Sequence, residues 1–225
     1  MPDYRLRAMI NGIRLKICGL TSLVDAELAD RAGADYLGFV LYAKSPRHVT
    51  PARFRAMVAR LPDRRKVAVM VEPSAAELAE AAAAGFDFVQ IHFPHDLAPG
   101  TVAAWAGVIG RQRLWLAPRL PPAATLPPAL LPLADTFLFD AFHAGKFGGS
   151  GQTADWTKFR QHRELYPEKT WILAGGLNPD NISVALKATG ARLVDVNSGI
   201  EASPGVKDPE KVAAFVARLA EIRSR

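Results

Sequence analysis

Apolar residues, many of them β-branched or aromatic, recur along the chain in runs of strand length. They read "IRLKI" from 13, "YLGFVLY" from 36, "KVAVMV" from 66, "FDFVQIH" from 86, "RLWLAP" from 113, "TFLFDA" from 136, "TWILAG" from 170 and "LVDVNS" from 193. Most of the intervals carry apolar positions at helical spacing instead, as in "LVDAELADRAG", "PARFRAMVARL", "SAAELAEAAAAG" and "NISVALKATG", and "DPEKVAAFVARLAEI" closes the chain. This alternation predicts eight strand-helix units. Because the runs are apolar on both faces, they suit parallel strands covered on both sides. The fold expected is α/β, a single-domain (β/α)8 TIM barrel over residues 1–225. A doubly wound open sheet competes, but its glycine-rich dinucleotide fingerprint is missing after the first run.

An internal echo supports one repeating unit. A helix end, a glycine and a new strand recur in "AGADYLGFV", "AGFDFVQIH" and "TGARLVDVN", with glycines at 33, 85 and 190. Their separations are close to two and four lengths of one unit of about 26 residues. Glycine suits such positions because helices often end on a left-handed residue. The fifth unit departs from the pattern: "PRLPPAATLPPALLPLAD" is so rich in proline that only a short helix starting near Ala129 is expected there.

Composition narrows the setting. With 49% hydrophobic residues in 225, the chain can bury a full core. No apolar run approaches the roughly 18 residues of a membrane span, so no transmembrane helix is expected. The start, "MPDYRLRAMING", lacks the apolar stretch and cleavage site of a secretory signal, and the single cysteine suits a reducing compartment. A cytoplasmic location follows as the expectation. The net charge of +6 comes without clustered arginines interleaved with aromatics, which argues against nucleic acid and for an anionic metabolite.

A closed parallel barrel places its chemistry at the C-terminal ends of its strands. That singles out Cys18, at the end of "IRLKIC", and Asp140, at the end of "TFLFD". Lys16 and Cys18 share a strand face, so the ammonium is expected to favour the thiolate, the form that acts as base or nucleophile. Filler in a core is the alternative for a lone cysteine. An aspartate in an apolar run is expected to have a raised pKa and to serve as a general acid; capping the next loop is its alternative. Glycine loops follow strands six, seven and eight: "GGSG" with Gly149, "AGGLNPDN" with Gly175 and Gly176, and "NSGIEASPG" with Ser198 and Gly199. Bare backbone amides there suit a phosphate. Asn178 reads equally as a helix-start residue. Arg47, in "AKSPRHVT", can clamp a carboxylate through a two-toothed bond. Asp195 and Asn197 share a face and can line the mouth, although Asp195 is equally placed to pair with Lys16. "HFPHD", with His92, His95 and Asp96, has ligand types for a metal but no matching partner, and no metal site is expected.

Taken in order, "KICGLT", "GADYLGFV", "KSPRHVTP", "VQIH", "FLFDAF", "GGSGQTADW", "LAGGLNPDN" and "VDVNSGIEASPGVKD" resemble the phosphoribosylanthranilate isomerase family of tryptophan biosynthesis, from about residue 13 to the C-terminal helix. The resemblance implies an Amadori rearrangement of N-(5-phosphoribosyl)anthranilate to 1-(2-carboxyphenylamino)-1-deoxyribulose 5-phosphate, without metal or organic cofactor. It implies that Asp140 protonates the furanose ring oxygen, that Cys18 takes the C2 proton of the Schiff base, and that Arg47 holds the anthranilate carboxylate. The expected partner is a small molecule bearing a phosphate and a carboxylate, not a membrane or nucleic acid, and the chain is expected to be a monomer or homodimer.

Four positions depart from the family's usual residues. Phe93 replaces a glycine and is expected to narrow the site or stack on the substrate ring. Leu116 stands for a lysine, Ala154 for a phenylalanine and Asn197 for a serine. Two other readings compete: the related isomerase of histidine biosynthesis, which uses an aspartate where this chain has Cys18, and a non-catalytic barrel that binds phosphorylated metabolites, with Phe93 as a contact.

Overall fold

The computed structural model describes residues 9–141 and 154–221. Eight strands, β1 (Arg14–Ile17), β2 (Tyr36–Val40), β3 (Arg65–Val71), β4 (Phe88–Pro94), β5 (Leu114–Arg119), β6 (Thr136–Phe139), β7 (Thr170–Leu173) and β8 (Leu193–Val196), close in sequence order into one barrel. Every neighbouring pair is parallel, and β8 returns to β1 with Lys16 opposite Asp195. Helices α1 (Leu23–Arg31), α2 (Pro51–Met57), α3 (Ala75–Ala83), α4 (Pro99–Ile109), α5 (Trp156–Leu165), α6 (Ile182–Thr189) and α7 (Pro209–Glu221) cover the outside. The (β/α)8 barrel expected from the alternating pattern is the observed fold.

The fifth unit differs in kind from the expectation of a short helix. Pro128–Leu133 forms a 3₁₀ turn, because prolines at 127, 128 and 132 withhold the N–H groups a longer α-helix needs. Lys158 of α5 holds the preceding loop by donating to the carbonyls of Pro121, Pro122 and Ala124 at 2.7, 2.8 and 2.9 Å. A small hairpin, β9 (Glu201–Ser203) with β10 (Val206–Lys207), follows β8 and has no counterpart in the sequence reading.

Local chemistry explains where helices start and stop. Ser22 and Asp155 cap α1 and α5, Thr50 precedes a proline at the start of α2, and Ser74 with Glu77 forms a capping box on α3. The echo glycines Gly33, Gly85 and Gly190 all have φ between +62° and +96°, the left-handed turn that sends a helix end into the next strand. The same two-unit echo carries an electrostatic clasp at the bottom of the barrel. Arg14 meets Asp35 at 2.7 Å, Arg65 meets Asp87 at 3.0 Å, and Arg111 meets Asp135.

Strand alternation sorts the side chains into two layers. Leu15, Ile17, Phe137, Phe139 and Phe93 face the helices, while Val67, Val69, Leu138 and Ile172 fill the barrel interior. Tyr36, Phe88 and Trp115 pack edge-on or tilted at 4.9–5.9 Å near the strand N-termini and plug the bottom. At the opposite ends of the strands Gln90, His92, Asp140, Asp195 and Asn197 face one cavity alongside Val40, Val71 and Ala174, and the site lies there.

Candidate active site

Each chemical residue owes its placement to the barrel's period of two. Lys16 and Cys18 extend inward from β1, Asp140 follows β6 on the same inward row as Leu138, and Asp195 and Asn197 point in from β8. Gly38 in the middle of β2 leaves room for them. A side chain at 38 would meet Cys18 Sγ at 3.0 Å and Lys16 Cε at 3.1 Å.

Cys18, Arg47, Asp140, Gly175, Gly176, Asp195, Asn197 and Ser198 line one cavity of about 780 Å³, partly continuous with solvent, at the C-terminal ends of the strands. Cys18 and Asp140, far apart in sequence, therefore share one space.

The electrostatics add the cost of burial to the effect expected of Lys16. Burial pushes the Cys18 thiol up; Lys16 partly offsets this, and Asp195 adds to it. Lys16 thus favours the thiolate as expected, but burial outweighs it and the thiol's pKa stays raised, while Lys16 itself lies 2.7 Å from Asp195. The pairing of Asp195 with Lys16, foreseen as one alternative, is what the barrel contains. Lys16 has no solvent exposure, yet it stays charged: burial pulls its pKa down, but Asp195 and Cys18 outweigh that and leave it raised. Asp195 Oδ1 is buried and has no hydrogen-bond partner among the described residues, so the cavity wall offers an acceptor to a ligand hydroxyl.

Asp140 behaves as expected of a carboxyl in an apolar setting. Burial raises it to about 6, against the backbone amide of Ala141, which donates to Oδ1 at 2.8 Å. Raising a carboxyl from 3.8 to about 6 makes its ionised form cost about 3 kcal/mol in the folded state. That cost is absent below pH 3.8, grows as pH rises, and is complete above 6. Asp140→Asn is therefore expected to be more stable than the parent by about 2–3 kcal/mol at pH 8, with the advantage vanishing near pH 4. Urea unfolding at the two pH values measures it; equal stability at pH 8 would contradict the assigned burial cost.

The loops after β7 and β8 supply backbone donors. The amides of Gly175, Gly176 and Ser198 donate to no other described residue, and all three residues line the cavity. Asn181 Nδ2 fixes the Gly176 carbonyl at 2.8 Å, and Gly175 and Gly176 have φ of +82° and +61°. Asn178 Oδ1 accepts from the amides of Asp180 and Asn181 at 2.9 and 3.1 Å; it shapes the turn before α6, whose start residue is Asn181 and not, as the helix-start reading had it, Asn178. Gly199 stands behind the wall: any side chain there would strike the Leu177 carbonyl, so its bareness lets the two loops touch. Gly149 lies outside the described residues.

Arg47 reaches the cavity, but its two-toothed bond is already made. Nε lies 2.9 and 3.2 Å from the two oxygens of Glu201, and Nη2 lies 2.6 Å from Oε2. Nη1 has no hydrogen bond within the described residues.

Three of the four unusual positions lie away from the cavity. Phe93 is fully buried against Trp105 of α4 at 5.6 Å, on the helix side of β4. The expectation that Phe93 narrows the site or stacks on a ligand is corrected by strand parity, since its neighbour His92 takes the inward direction. A contact role for Phe93 in a binding-only barrel goes with it. Leu116 likewise faces the helix layer, and Ala154 is buried in the same core. Of the four departures only Asn197 lines the cavity.

Sequence reasoning missed Gln90 as a cavity residue and read His92 only as a metal ligand. Burial, with Lys16 nearby, pushes His92 down to about 4, so it is neutral and accepts from Gln90 Nε2 at 2.7 Å. Gln90 Oε1 is buried with no hydrogen-bond partner among the described residues. The signal was in the pattern: two polar residues two apart in the apolar "FVQIH" must share the inward face.

Comparisons with known proteins agree with this arrangement. The family model described as N-(5'phosphoribosyl)anthranilate (PRA) isomerase matches residues 15–218. N-(5'-phosphoribosyl)anthranilate isomerase of Zymomonas mobilis is 38% identical over 208 residues, covering 91% of this chain and 96% of the relative. The crystal structure of phosphoribosyl anthranilate isomerase from Thermus thermophilus superposes with a TM-score of 0.76 at 33% identity, covering 94% of this chain and 100% of that one. A phosphoribosyl anthranilate isomerase in complex with reduced 1-(o-carboxyphenylamino)-1-deoxyribulose 5-phosphate has a TM-score of 0.72 at 28% identity, covering 92% and 98%.

Proposed function

Because this chain belongs to the N-(5'-phosphoribosyl)anthranilate isomerase family and is an isomerase of tryptophan biosynthesis, we propose that Asp140 and Cys18 are the acid and base of its rearrangement. The observation that carries the reading is that both groups, from opposite parts of the barrel, line one cavity whose remaining walls hold anion-suited loops and Arg47.

Asp140, protonated, gives its proton to the furanose ring oxygen as the bond from that oxygen to C1 breaks, and the anthranilate nitrogen lone pair forms the Schiff base. The Cys18 thiolate then takes the C2 proton, and the electrons of that C–H bond form the enolamine. Loss of the enol proton and protonation at C1 give the ketone, so the overall change is an isomerisation. The amides of Gly175, Gly176 and Ser198 hold the phosphate, with Gly149 assigned to the same task. Gly199 serves by letting the two loops close together. Asp195 Oδ1 accepts from a ribose hydroxyl, and Nη1 of Arg47 donates to the anthranilate carboxylate. A lone thiol and a metabolic substrate suit the cytoplasm.

With the acid titrating below the base, the reactive pair of protonated Asp140 and ionised Cys18 is a minority form. Its population is level between the two pKa values and falls tenfold per pH unit outside them. The expected profile of kcat/KM has an alkaline limb above the ordinary thiol range. Since Cys18 is the only cysteine, the pH dependence of its alkylation by iodoacetamide measures the same group. The two midpoints should coincide. An alkaline limb well separated from the alkylation midpoint would remove Cys18 from the role of base.

A further inference from the structure

A buried ion cluster joins Arg47 to the β8 side of the cavity. Glu201 of β9, with its side chain 4% exposed, grips Nε and Nη2 of Arg47. Lys207 of β10, 1% exposed, lies 3.0 Å from Glu201 Oε1 and 3.0 Å from Oδ1 of Asn197, a cavity residue. The amide of Gly205 donates to Glu201 Oε1 at 3.2 Å, and Lys211 Nζ donates to the Glu201 backbone carbonyl at 2.8 Å. Burial pushes Glu201 up, but Arg47 and Lys207 outweigh it and hold the carboxyl below its usual range, so the cluster is ionic. The β9–β10 hairpin is thus tied to the site by side chains at both of its strands.

Packing completes the clamp. Gly19, at φ +73° in the turn just after Cys18, is the floor on which Arg47 and Asn197 rest; a side chain there would come within 2.7 Å of Arg47 Cδ and would clash with Asn197 Oδ1. With two guanidinium nitrogens bound to Glu201 and the stem against this turn, the direction of Nη1 is set before any ligand arrives. An unheld arginine would have to give up rotamer freedom on binding, and the geometry of the reacting centre would suffer with it. Two cations against one carboxylate also leave the cluster with one net positive charge, the right sign for an anionic ligand group.

We infer that Glu201 is a positioning residue that presents Arg47 to the carboxylate of the substrate's aromatic ring, with Lys207 keeping Glu201 in place and linking it to Asn197. This rests on the assignment of Arg47 to that carboxylate. The contribution of Glu201 is to a carboxylate contact, so it must vanish for a ligand that lacks one.

The experiment uses two inhibitors: reduced 1-(o-carboxyphenylamino)-1-deoxyribulose 5-phosphate and its counterpart without the ring carboxylate. Inhibition constants are measured for the parent, Arg47→Ala and Glu201→Gln, with folding checked by thermal melts. If Glu201→Gln does not fold, Glu201→Gln with Lys207→Met, which removes both buried charges, takes its place. The expected result is that Arg47→Ala erases the parent's preference for the carboxylated inhibitor. Glu201→Gln should cut that preference at least tenfold while binding the other inhibitor as the parent does, and should raise KM more than it lowers kcat. An intact preference in Glu201→Gln, beside its loss in Arg47→Ala, would overturn the inference and leave the Arg47 assignment standing. Equal weakening of both inhibitors by Glu201→Gln would mark general damage and also overturn it. A preference that survives Arg47→Ala would overturn the Arg47 assignment itself and the inference with it.

Discussion

Asp140→Asn and Cys18→Ala are each expected to lower kcat by about 10²–10⁴-fold, the range for loss of a positioned acid or base. Asparagine keeps the shape of Asp140 and can still accept from the Ala141 amide. It cannot release a proton to the ring oxygen, so ring opening loses its acid. Alanine at 18 removes only a sulfur from a space already bounded by Gly38 and Lys16, so the fold is expected to persist. The two variants also differ usefully. Asp140→Asn should be inactive and more stable, because the group that does the chemistry is one whose ionised form the folded state disfavours. The disappearance of anthranilate-type fluorescence with time gives kcat, and near-parental turnover in either purified variant would refute the assignment.

Asp195→Ala is expected to destabilise the barrel by about 3–5 kcal/mol, because it leaves the fully buried Lys16 ammonium without its counter-ion. A folded domain holds only about 5–15 kcal/mol in all, so this single change threatens the fold. The position is unforgiving because the closing register of the barrel sets Lys16, which has no solvent exposure, opposite Asp195. The double variant Lys16→Met with Asp195→Leu removes both charges and should recover much of the loss, since buried ion pairs are often replaceable by apolar volume. Urea unfolding of the single and double variants measures this. An Asp195→Ala protein within 1 kcal/mol of the parent would show that Lys16 sheds its proton or finds another partner.

Much of the barrel was legible because parallel strands covered on both faces write long apolar runs, and because Gly33, Gly85 and Gly190 mark where helices end. The positions of Cys18, Asp140 and the glycine loops after β7 and β8 follow from the rule that chemistry collects at strand ends, once the strands are placed. What failed was direction and coupling. Phe93 was read by its neighbourhood in sequence, whereas the parity of β4 turns it to the helices and gives the cavity Gln90 and His92. The raised pKa of Cys18 comes from burial that barrel closure imposes and from Asp195, 179 residues from Lys16 in sequence. The hairpin after β8 was hidden because "EASPGVK" has too few apolar residues to announce strands, and its Glu201 acts on Arg47, 154 residues distant. Pairings of that kind are set by barrel closure, and no local pattern carries them.

The most direct test of the account is a crystal structure of this protein with reduced 1-(o-carboxyphenylamino)-1-deoxyribulose 5-phosphate bound. The phosphate is expected on the amides of Gly175, Gly176 and Ser198, the ring carboxylate on Arg47, and the Cys18 sulfur and Asp140 carboxyl on opposite sides of the sugar-derived chain, each about 3–3.5 Å from the atom it serves. A ligand seated with its C1–C2 segment out of reach of either group, or with phosphate and carboxylate exchanged, would contradict it.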